Sequence, residues 1–68
     1  MFEDLTNKEK AIMEMLIQGA KSSTIIEWFF IDYKSYNSIR KSILKKLGIK
    51  RITQLLKIVI ENGYFSAI

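Results

Sequence analysis

The chain has no proline and only three glycines in 68 residues. Those glycines, Gly19, Gly48 and Gly63, each stand just past a run of apolar residues at helical spacing. A glycine there supplies the left-handed backbone that closes a helix at its C-terminal end. No stretch sustains the apolar–polar alternation of a strand, and no hairpin signal occurs, so the chain reads as all-α. Before the first run stands "TNKE", with Thr6 as N-cap and Glu9 three residues on, the pattern of a capping box. It predicts a helix over about residues 7–18 with Ala11, Ile12, Met15 and Leu16 inward. Ser22 or Ser23 caps a second helix, about 22–29, burying Ile25, Ile26 and Phe29. Asp32 caps a third, about 33–47. Thr53 or Lys50 opens a fourth, about 52–62, carrying Leu55, Leu56, Ile58, Val59 and Ile60. The expectation is a single domain over residues 1–68, a bundle of four helices.

A chain this short buries only about 60 % of its unfolded surface, so small domains often add a metal, disulfides or a partner subunit. The sequence holds neither cysteine nor histidine. A disulfide framework is therefore excluded, and a transition-metal site would rest on carboxylates alone. The usual nucleophiles and general bases are missing as well, which argues against an enzyme and against a bound cofactor. No apolar run approaches the roughly 18 residues of a membrane span. The opening "MFEDLTNKEK" is too acidic for a signal peptide. The composition points to a soluble, cytoplasmic protein for which an oligomer would make physical sense.

Charge is unevenly placed. The first 33 residues set Lys8, Lys10 and Lys21 against Glu3, Asp4, Glu9, Glu14, Glu27 and Asp32, a net −3. The remainder sets eight basic residues against Glu61 alone, a net +7. Such asymmetry within one small domain fits a face made for a polyanion. At about 100° per residue, Lys34, Asn37, Ser38, Lys41 and Lys45 fall within one arc of the third helix, and Tyr36, Ile39, Ile43 and Leu47 within the opposite one. Leu44 and Arg40 flank the core side, where Arg40 is expected to meet an acid from the first half. A merely solvated helix would mix Glu with Lys to gain pairs four residues apart; here no acid follows Asp32. Lys, Asn and Ser are also side chains that read base edges. A short helix, a three-residue turn and a helix of this kind make a helix-turn-helix.

The string "LTNKEKAIMEMLIQG…IIEWFFIDYKSYNSIRKSILKKLGIKRITQLLKIVIENG" resembles the LuxR/GerE-type (FixJ-type) DNA-binding domain over about residues 5–63. The signals are "LTNKE" opening the first helix, "LIQG" closing it, "FI" before the Asp32 cap, and above all "ILKKLGIKRITQL". The resemblance implies a four-helix bundle whose second and third helices form the helix-turn-helix. The third helix would enter the major groove of double-stranded DNA, and the fourth would supply a homodimer contact. It implies base-edge contacts from Asn37, Ser38 and Lys41, and phosphate contacts from Lys34, Ser35, Lys45, Lys46, Lys50 and Arg51. Most members of that family append the domain to a receiver or ligand-binding module, whereas this chain is expected to be the domain alone, as in the small sporulation regulator that gives the family one of its names. Ile39 replaces the family's usual histidine, Ile26 a small alanine, Tyr36 a valine, and Lys21 stands at the usual cap of the second helix. Trp28 and Tyr33 stand where charged residues are usual.

Two functions are compatible with these features. One is a sequence-specific transcription regulator binding DNA as a homodimer. Its fourth helix spreads apolar residues over roughly 200°, more than one core contact needs. The other is an adaptor that keeps the fold but pairs with a larger protein. Trp28 and Tyr33, with Leu56, Ile58 and Ile60 of the fourth helix, are the candidate dimer or partner surface.

Overall fold

The computed structural model describes residues 2–63. After a short 3-10 turn, Phe2–Asp4, four α-helices follow: α1 Asn7–Ile17, α2 Ser22–Phe29, α3 Tyr33–Leu47 and α4 Thr53–Glu61. There is no strand among the described residues, so the architecture is all-α, with α3 packed against both α1 and α2. No helix among them is long and apolar enough to cross a membrane.

The capping box forms as the sequence predicts. Thr6 Oγ1 accepts from the Glu9 N–H at 3.1 Å, and Glu9 Oε1 accepts from the Thr6 N–H at 2.9 Å. Asp32 Oδ1 likewise accepts from the Ser35 N–H at 2.7 Å, satisfying one of the orphan donors of the first turn of α3. Two expected caps differ. Helix α2 is preceded by Lys21, which makes no side-chain cap, and Ser22 is already helical. At α4 the cap position is Ile52, and neither Thr53 nor Lys50 caps it through a side chain. Gln54 reaches back instead, its Oε1 accepting from the Lys50 and Arg51 N–H groups at 3.0 and 3.2 Å.

Helices α1, α2 and α3 end alike. In each, an N–H donates to a carbonyl five residues back: Ala20 to Met15, Ile31 to Ile26, and Ile49 to Leu44. Such an ending needs left-handed backbone just past the helix. Gly19 and Gly48 supply it after α1 and α3, whereas Phe30 (φ 54°) supplies it after α2. A phenylalanine has no intrinsic preference for that region. The three-residue turn from Phe30 to Asp32 is thus closed by a hydrogen-bonding pattern rather than by a glycine.

One core joins all four helices: Leu5, Ile12, Met13, Ile25, Tyr36, Ile43, Leu47, Leu55 and Val59. The inward faces expected of α2 and α3 appear, with Ile26, Phe29 and Ile39 only partly covered; of the apolar residues that α4 carries, Leu55 and Val59 are buried and Ile58 half-buried. Helix α1 departs from expectation, because Ile12 and Met13 are fully buried whereas Ala11, Met15 and Leu16 are half-buried. The largest departure is Glu9, a carboxylate with 7 % exposure beside the core.

Candidate nucleic-acid interface

Helix α3 is 15 residues long, or about 22 Å at 1.5 Å per residue. Its core face is pinned by Tyr36, Ile43 and Leu47, so its opposite face is fixed outward. Lys34, Ser38, Lys41 and Lys45 form an exposed stripe at spacings of four, three and four residues; Ser35 is exposed beside it and Asn37 half-buried. Lys46 pairs with Glu9, whereas Lys34, Lys41 and Lys45 pair with no acid among the described residues.

Lys46 belongs elsewhere. Its Nζ donates to Glu9 Oε1 at 2.8 Å, while Ser42 Oγ donates to Glu9 Oε2 at 2.6 Å. Burial by itself raises the Glu9 carboxyl, but hydrogen bonds from Lys46, Ser42 and the Thr6 N–H outweigh it and hold the pKa near 2, below the ordinary 4.5. One carboxylate therefore closes the start of α1 and ties it to the back of α3. Lys46, expected from the sequence at a phosphate, thus also holds this internal pair with a buried acid.

Where α3 meets the start of α4, an open cavity of about 460 Å³ is lined by Asn37, Arg40, Lys41, Leu44, Lys50, Arg51, Ile52 and Thr53. Lys50 and Arg51 are exposed and have no acid partner among the described residues. Arg40 does not meet the acid expected for it; its Nε is buried without a hydrogen-bond partner. The sequence held a signal for this, since α3 contains no acid three or four residues from Arg40 to bond it locally.

The remaining candidates separate. On α4, Leu55 and Val59 are buried, while Leu56 and Ile60, one turn apart, are 50 % and 69 % exposed. Ile58 is half-buried, and a two-residue step turns it about 160° from either exposed neighbour. It therefore does not share their face. Trp28, Phe30 and Tyr33 are 70 %, 95 % and 61 % exposed around the α2–α3 turn. The Tyr33 ring lies 6.1 Å from that of buried Tyr36, tilted by 52°.

A short helix, a tight turn and a longer helix with an acid-free cationic face define a helix-turn-helix protein of the DNA-binding class. Residues 3–59 match the family model of the bacterial regulatory proteins of the luxR family, the GerE domain. The chain belongs to this family, which comprises DNA-binding regulators and not enzymes. No curated protein and no solved structure is a significant match to it.

Proposed function

We propose that this domain regulates transcription by inserting α3 into the major groove of a specific DNA site, as a homodimer. The observation that carries the reading is the outward stripe of Lys34, Ser38, Lys41 and Lys45, free of acids, on the second helix of a helix-turn-helix. In this reading Asn37, Ser38 and Lys41 meet base edges, with Asn suited to adenine and Lys to guanine. Lys34, Ser35, Lys45, Lys50 and Arg51 would hold phosphates and set the register. Leu56 and Ile60 offer the dimer contact, an exposed apolar stripe too small to act without its counterpart from a second copy.

Selection of genomic fragments by the purified chain tests this. The expected result is one enriched motif with two-fold symmetry, its half-sites one helical turn or a multiple of it apart. Failure of micromolar protein at low salt to retard any DNA would end the reading.

The exposure of Trp28, Phe30 and Tyr33 favours a second reading, in which the domain docks on a larger protein. Co-purification with such a protein, combined with no retardation of DNA, would establish the adaptor in place of the regulator.

A further inference from the structure

We infer that Tyr33, the first residue of α3, reads a base: its ring packs on the C5-methyl group of a thymine in the major groove. This deepens the regulator reading above and rests on it, adding an apolar contact to a recognition helix otherwise read as polar and cationic. Three large aromatic side chains stand exposed around the α2–α3 turn, Trp28, Phe30 and Tyr33. Trp28 belongs to α2 and Phe30 to the turn, so Tyr33 is the one that α3 itself carries. Rings of this size are costly in water unless something covers them.

The position of Tyr33 names the cover. It directly precedes Lys34, where the exposed stripe of α3 begins, and it stands four residues before Asn37. At about 100° per residue, Tyr33 and Asn37 lie only about 40° apart around the helix. A surface that receives Asn37 on a base edge therefore receives Tyr33 as well. The rise between the two is about 6 Å, against about 3.4 Å between base pairs. The ring accordingly meets a base one or two pairs along from the one bonded by Asn37. It is also held in advance. Its centroid lies 6.1 Å from that of Tyr36, which is 3 % exposed and fixed in the core. A ring braced on the core has little rotamer freedom left to lose on contact. The major-groove edges of the bases are polar save for the thymine methyl group, and that is where an apolar side chain finds its match.

The experiment uses the full chain and the DNA motif that it selects. Each thymine of a half-site is replaced in turn by deoxyuridine, which removes only the methyl group. One thymine per half-site is expected to matter, its replacement weakening binding about fourfold, the contribution of one buried methyl group. Tyr33→Ala should bind thymine DNA more weakly by about that factor or more and lose the discrimination. Tyr33→Phe and Trp28→Ala should keep it. The slope of log K against log salt should stay unchanged in Tyr33→Ala, since no phosphate contact is removed. A merely structural role would do the reverse: fraying of the first turn would release Lys34 and Ser35, lower the slope and leave the methyl effect intact. That pattern would overturn the inference, as would a motif without thymine, a half-site indifferent to deoxyuridine, or loss of the discrimination in Tyr33→Phe or Trp28→Ala. Thermal melts establish that each variant folds. Should Tyr33→Ala not fold, 5-iodouracil at the sensitive position decides the matter in the unaltered chain: a crosslink mapped to Tyr33 supports the contact, and one mapped to another residue overturns it. If the chain retards no DNA, the regulator reading fails and the role of Tyr33 falls with it. DNA binding without methyl dependence sinks the role of Tyr33 alone.

Discussion

At Glu9, one carboxylate accepts the Thr6 N–H that opens α1 and two donors, Ser42 Oγ and Lys46 Nζ, from α3. Its folded pKa of about 2 lies below the ordinary 4.5. The folded state therefore binds the proton more weakly than the unfolded chain does. The resulting stability, on the order of 3 kcal/mol, is fully present above pH 4.5 and is lost as pH falls through about 2. Glu9→Ala should remove a similar amount at neutral pH in urea unfolding, and the acid-induced loss of stability between those pH values should shrink with it. Phe30 behaves oppositely. Its ring is 95 % exposed and its φ is 54°, so Phe30→Gly relieves left-handed strain of about 1 kcal/mol against a comparable loss of unfolded-state restriction. Its melting temperature should stay within a few degrees of the unaltered chain. On the DNA side, Lys41→Ala should flatten base preference at one position by about 1–3 kcal/mol. Lys45→Ala should weaken all sequences alike; competition binding with single-base variants of the selected site separates the two.

At the scale of elements, α3 is held at both ends and along one face. Asp32 caps its start and Gly48 turns its end at φ 68°. Asp32→Ala should cost about 1 kcal/mol of stability in thermal unfolding, and fraying at that end should also weaken DNA binding through Lys34 and Ser35. Helix α4 has two apolar sides with different roles. Leu55 and Val59 close the core, while Leu56 and Ile60 remain on the surface. A double change, Leu56→Asp with Ile60→Asp, should leave the monomer folded by circular dichroism and abolish dimers in sedimentation. Retained dimers would move the contact off this stripe. The four helix positions were legible in the sequence because apolar spacing and caps are local signals. The inward set of α1 was not. Amphipathic spacing names a face, but whether Met13 or Met15 lies deepest depends on where α3 crosses it.

For the whole molecule, the net charge of +4 conceals a strongly basic second half, and salt dependence should report its use. If Lys34, Lys45, Lys50 and Arg51 each meet a phosphate, the slope of log K against log salt is roughly −3.6 for one protomer and roughly −7 for a dimer. A gel-shift series in salt therefore checks both contact count and stoichiometry. From the sequence alone came the all-α class, the helix-turn-helix, the outward arc of Lys34, Asn37, Ser38, Lys41 and Lys45, of which Asn37 is half-buried, and the family. All of these follow from spacing and residue type within single segments. Tertiary structure decided which cations remain free. Lys45 and Lys46 are neighbours in sequence, yet a 100° turn of α3 sends one to solvent and brings the other to Glu9. It also decided that Arg40 lines a basic cavity rather than pairing with an acid. The physical reason is that a charge takes its partner from whatever the packed helices bring within about 4 Å, and that proximity is set by crossings between segments far apart in the chain.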